Sequence, residues 1–183
     1  MPLILLIIKI YIKILNSKVY KLSMKILAIQ NRMGIGDTVI FLPYIKAISK
    51  KFNTPVSILV KKSSKAEQFL NQTKYIDQII FLERDNQKKE RHDGILGAFR
   101  LAQDLKKHNF EKVFIFNSSL RFNLIARLSG FKKIYQYPLF EKNNQHITNP
   151  AMNLIKKKLN TNIDSVPEIQ IDDDLAKKAI SKF

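Results

Sequence analysis

The apolar positions of this chain fall into short continuous runs that alternate with longer stretches of helical spacing. Residues 25–30 hold the first such run, in which Ile26, Leu27, Ala28 and Ile29 predict a strand buried on both faces. Further strands are expected over 56–60, 78–82, 112–116 and 133–135, the last ending before Pro138. Between them the spacing predicts helices over 38–48, 63–71, 94–108 and 120–128, the last stopping at Gly130. Ser63 or Ser64 offers a cap for the 63–71 helix, 83–93 and 141–149 read as polar loops, and 150–159 is a further helix. Strands separated by helices imply an α/β fold, a Rossmann-like doubly wound parallel sheet with right-handed crossovers.

The two ends depart from this alternation. Residues 1–23 begin with an unbroken apolar run, Leu3 to Ile8; on a helical wheel Lys9, Lys13, Asn16, Ser17 and Tyr20 gather on one side of a wide apolar face. A spanning helix needs about 20 apolar residues, whereas here lysines fall near the middle, so the segment reads as an amphipathic helix lying in a membrane surface. Packing of that helix on the protein's own body is the alternative, and Met24 could be the true start. Residues 166–171 read as extended, and Asp172, Asp173 and Asp174 then cap a helix; metal binding by this acidic triplet is the weaker reading. The domains expected are therefore 1–23, a main unit over 24–165, and the beginning of a second unit over 166–183.

At 183 residues and 45% apolar content the chain is long enough for one well-packed domain. It has no cysteine, which excludes disulfides and zinc-thiolate sites. The net charge is +17, yet only six of the 32 basic residues are arginine. Nucleic-acid readers lean on arginine forks, and no strand face interleaves aromatics with arginine, so no specific nucleic acid is expected. Scattered lysine points instead to an anionic surface such as a membrane or a polyphosphate.

Candidate chemistry lies after the strands, because the loops at that edge of a doubly wound sheet converge. The first carries Arg32, Gly34, Gly36 and Asp37, the glycines permitting a sharp turn that leaves amides facing a crevice; the second carries Asn117, Ser118 and Arg121; the third carries His146. A carboxylate, a base and an imidazole around a glycine-lined crevice suit a hydroxylated, phosphorylated substrate. Each has a plainer reading: Asp37 as a helix N-cap, Arg121 as a surface residue, His146 as an exposed one, with His92 and His108 as solvent residues. No histidine pair has metal-ligand spacing, and the sequence from Gly34 to Asp37 lacks both the Walker ending and the third glycine of the dinucleotide fingerprint.

The string Lys25-Ile-Leu-Ala-Ile, then Arg32-Met-Gly-Ile-Gly36-Asp37 and Leu42-Pro43, resembles the opening of the family 9 glycosyltransferases, the heptosyltransferases that build the inner core of lipopolysaccharide. Phe114-Ile-Phe-Asn-Ser-Ser-Leu-Arg121, Leu124-Ile-Ala-Arg-Leu-Ser-Gly130 and Lys133-Ile-Tyr-Gln-Tyr137 are similar to that family's second hallmark and the strand after it, so the resemblance spans 24–159. It implies the N-terminal, acceptor-binding half of a two-domain GT-B enzyme that inverts the sugar without a metal. Asp37 would then be the general base, Arg121 would meet phosphate charge, and His146 would orient the acceptor. It also implies a nucleotide-sugar donor such as ADP-heptose, bound by a C-terminal domain beyond Phe183; no other cofactor; and a lipid-linked saccharide acceptor on the inner face of a bacterial cytoplasmic membrane. By that reading the chain alone is inactive. A non-catalytic α/β module that binds polyanions or membrane is the alternative.

Overall fold

The protein is described by a computed structural model over residues 24–32, 34–84, 89–139, 148–161, 163, 166–169, 177, 180 and 181. Residues 1–23, His146 and the acidic triplet lie outside the described residues.

Five parallel strands form one sheet: β1 (Ile26–Ile29), β2 (Val56–Lys61), β3 (Ile76–Leu82), β4 (Lys112–Ile115) and β5 (Lys133–Gln136), in spatial order β3-β2-β1-β4-β5. β1 is central, and all four of its residues are buried. Strand alternation sends Ile26 and Ala28 into one core and Leu27 and Ile29 into the other, which is why the run is apolar without a break. The first core is closed by α1 (Ile35–Phe52) and α4 (Thr148–Leu159), the second by α2 (Gly94–Lys106) and α3 (Leu120–Leu128).

α1 contributes Phe41, Leu42, Tyr44, Ile45 and Ile48, all buried, and Phe41 lies 5.1 Å from the Phe116 ring at the end of β4. Burying each such side chain is worth about 1.5–3 kcal/mol, so this face anchors α1 despite Pro43 in its interior. Each helix is followed by a residue of positive φ: Asn53 (49°), Asn109 (55°), Gly130 (84°) and Asn160 (47°). Only Gly130 is legible as a stop; asparagine serves the other three, since its short polar side chain tolerates the left-handed region.

One expectation about local structure is corrected. Residues 63–71 are not one helix but two short 3-10 turns, Lys62–Ser64 and Ala66–Gln68, separated by Lys65 at a φ of 49°. The Ser64 hydroxyl donates to the Lys61 carbonyl at 2.6 Å, a local bond that competes with helix continuation. Of the described part of the extended stretch, 166–169 pairs with no strand; Glu168 holds it to the body through an ion pair with Lys46 and a bond from the Tyr75 hydroxyl to its carbonyl.

Candidate functional site

The sheet order places a topological switch between β1 and β4, where crossovers leave in opposite directions and the loops after the two strands part. At this point Asn117 Nδ2 donates to Asn31 Oδ1 at 3.0 Å, bridging the two loops. Asn117 Oδ1 accepts from the Ser119 amide at 2.9 Å and so shapes the entry to α3. Gln136, at the end of β5, donates from Nε2 to the carbonyls of Asn117 (3.0 Å) and Ser119 (2.9 Å), while its Oε1 accepts from Asn123. Three neighbouring strands therefore fix one polar rim. Ser118 stands exposed on it.

Across the crevice, Gly34 precedes α1 with φ 97°, a conformation other residues rarely adopt, and no side chain caps the helix. Gly36 is an ordinary helical residue, so only one of the two glycines answers a backbone need. The space beside Gly36 is open, since a Cβ there would meet nothing within 4 Å. Asp37 is the third residue of α1 and not its N-cap, because the helix starts three residues earlier than the apolar spacing indicates. Its half-buried carboxylate makes no hydrogen bond or ion pair with another described residue, and it sits where the helix dipole favours negative charge. Arg32 is exposed, and its charge reaches the phenol of Tyr137.

Arg121 lies elsewhere. Its guanidinium donates to the carbonyls of Gly94 (2.6 Å) and His92 (2.5 Å), tying α3 to the turn that opens α2. Burial, then the nearby Arg84, lower its affinity for a proton, against the pull of Asp93. The same turn corrects the reading of His92 as a solvent residue: it is 4% exposed, its Nδ1 accepts from the Glu83 amide at 3.1 Å, and its Nε2 faces Asp104 at 3.4 Å. That pattern selects the tautomer with the proton on Nε2. Arg91 holds Asp104 through both nitrogens of its fork, at 2.8 to 3.1 Å. Burial opposes the Asp104 charge, but hydrogen bonds from Arg91, Lys107 and His92 outweigh it and hold the carboxyl at about 2. His108 is half-buried, within 3.3 Å of Gln78 and stacked on Phe110.

Two residues at the crevice escape sequence reading. Gln30 follows β1 with only 1% of its surface exposed, and among the described residues neither its Nε2 nor its Oε1 finds a hydrogen-bond partner. Tyr137 follows β5, packs on Phe116 with centroids 6.2 Å apart, and also leaves its hydroxyl unpartnered. Burial, then the neighbouring Tyr44, push the Tyr137 phenol above its ordinary range, while Arg32 pulls the other way. Buried polar atoms are satisfied in most proteins, and these two orphans follow β1 and β5, the strands on either side of β4, at the edge that carries the switch point. A polar residue directly after an apolar strand was the available signal for Gln30.

At the level of sequence, no family model and no curated protein matches the chain. In three dimensions it is similar to a family 9 glycosyl transferase from Veillonella parvula, with a TM-score of 0.65 at 15% identity, covering 87% of this chain and 48% of that one. It is also similar to the ADP-heptose lps heptosyltransferase II of E. coli (TM-score 0.59, 12% identity, 87% and 50% covered). The E. coli heptosyltransferase WaaC with ADP-2-deoxy-2-fluoro heptose matches with a TM-score of 0.54 at 13% identity, covering 87% and 55%. The chain thus spans about half the length of the structures it matches. The backbone is a Rossmann-like α/β unit similar in fold to these glycosyltransferases.

Proposed function

We propose that this chain is the acceptor-binding half of an inverting glycosyltransferase, transferring a sugar from a nucleotide-sugar to a hydroxyl of a lipopolysaccharide-core or similar glycolipid. The observation that carries this reading is the Asp37 carboxylate, unpartnered among the described residues, in the uncapped first turn of α1, at the sheet edge that also carries the Asn31–Asn117 bridge. A sugar hydroxyl is a weak nucleophile. Asp37 takes its proton as the oxygen attacks the anomeric carbon from the face opposite the leaving group; the bond from that carbon to the nucleoside diphosphate breaks with its electron pair, and configuration inverts.

The rim of Asn117, Ser118 and the Gly34–Gly36 turn orients acceptor hydroxyls. Arg32 is the better-placed cation for acceptor phosphate, since Arg121 already serves two carbonyls. The fold likeness to enzymes about twice as long supports assigning the nucleotide-sugar, ADP-heptose being one example, to a second unit. The place of action is the inner face of a bacterial cytoplasmic membrane, with residues 1–23 on its surface.

The test pairs two measurements. The 183-residue chain binds a deacylated lipopolysaccharide-core oligosaccharide saturably, and Asp37→Asn retains that binding while abolishing nucleoside diphosphate release by the complete transferase. No saturable acceptor binding, or undiminished release by Asp37→Asn, overturns the proposal in favour of a non-catalytic polyanion-binding module.

A further inference from the structure

The outer surface of α2 and α3 does not look like the outside of a soluble domain. Both helices bury one stripe in the second core: Ala98, Leu101, Ala102 and Leu105 from α2, and Phe122, Ile125 and Ala126 from α3. The opposite side of a surface helix is expected to be polar. Here it carries Ile95, Leu96 and Phe99 on α2 and Leu120, Leu124 and Leu128 on α3, with exposures from 42% at Leu128 to 78% at Ile95. Between the helices runs a groove of about 250 Å³ floored by Ala98. Five of these six large apolar side chains, Ile95, Phe99, Leu120, Leu124 and Leu128, line that one groove, an exposed apolar grouping of the kind that soluble surfaces avoid.

Charge says what covers it. Residues 94–107 and 120–128 carry Arg100, Lys106, Lys107, Arg121 and Arg127 against a single acidic residue, Asp104, which Arg91 and Lys107 already engage. A second copy docked on this face would set the same cations against one another, because a two-fold interface pairs a patch with itself. An anionic bilayer accepts both features, apolar side chains entering between the chains and arginine heads staying with the phosphates. No helix among the described residues is long and apolar enough to cross a membrane, which suits contact in the plane. Ile95 and Leu120 lie in the opening turns of their helices, at the sheet edge that carries Asn31, Asn117 and Asp37.

We propose that the α2–α3 face is a docking surface for an anionic lipid bilayer, which sets the crevice beside the headgroups. The proposal goes beyond the sugar-transfer reading and stands without it, since its test contains lipid and no sugar.

The chain has no tryptophan, so Phe99→Trp in the full chain introduces a single reporter. On vesicles containing phosphatidylglycerol its emission moves to shorter wavelength and is quenched by brominated acyl chains; on pure phosphatidylcholine neither occurs, and salt reverses both. Phe99→Glu combined with Leu124→Glu lowers partition onto the phosphatidylglycerol vesicles by about tenfold or more, with far-ultraviolet dichroism and melting unchanged because both sites are exposed. Three results overturn the proposal. Co-sedimentation with vesicles while Trp emission at 99 stays fixed moves the lipid contact to residues 1–23. Lipid-free self-association abolished by the double variant assigns the face to a second copy. Failure of the parent chain to bind the anionic vesicles removes the partner. Should the double variant not fold, the Phe99→Trp measurement decides alone.

Discussion

Two turns at the same edge of the sheet handle their polar groups in opposite ways. Among its described residues, the turn between β3 and α2 engages most of its polar groups: both ring nitrogens of His92 are engaged, Asp104 is gripped by Arg91 and Lys107, and Arg121 closes the carbonyls of residues 92 and 94, while Arg84 Nε lies 3.4 Å from Asp93 without a hydrogen bond. The turn between β1 and α1 leaves its groups open, with an uncapped helix end and, among the described residues, no partner for the Asp37 carboxylate or for the buried Gln30 side-chain amide. A folded chain gains nothing from the second arrangement, because an orphaned buried amide costs about 1–3 kcal/mol. Polarity that is fully paired holds the fold together, and polarity left unpaired at a switch point awaits a ligand.

The sharpest way to break this contrast is Asp37→Asn, which should cut transfer by the complete enzyme about 10²- to 10⁴-fold, as loss of a general base does, without lowering the melting temperature. A fall in stability of the size seen at the paired turn would return Asp37 to a structural role. On the other side, Gly97→Ala should destabilise by about 1–3 kcal/mol in chemical denaturation, because a Cβ at 97 would stand 2.2 Å from the His92 carbonyl carbon, which is backbone and cannot swing away. An unchanged midpoint would show that the turn is looser than its bonding suggests.

Asp104→Asn should cost about 1–3 kcal/mol at neutral pH through loss of charge-assisted bonds. It should also flatten the acid limb of the stability profile. The folded carboxyl titrates at about 2 against an ordinary 3.8, so its contribution is complete above the unfolded value and is lost as pH falls from about 4 toward 2. A variant whose acid denaturation curve overlays the parent's contradicts the network. The smallest effect is expected at Gln30→Leu, which removes two orphaned atoms and should raise stability by about 1–2 kcal/mol while weakening acceptor binding. Destabilisation there would reveal a structural partner and erase the difference between the two turns.

The sequence by itself determined the succession of strands and helices, the buried first strand and the glycine turn before α1, because a continuous apolar run, helical spacing and a glycine turn are local signals, whereas the order of strands in the sheet came from the structure. It also carried the two motif strings that meet as the polar rim. It misread the 63–71 helix, where a serine hydroxyl and a left-handed lysine decide locally against regular structure, and it began α1 too late because its opening turn carries no apolar stripe. Only the tertiary structure decided which polar residues are engaged. His92 and Arg121 are engaged by partners from 9 to 29 positions away, and Gln30 is buried with no hydrogen-bond partner for its side chain among the described residues. Pairing depends on which distant atoms arrive alongside, and no periodicity along the chain records that.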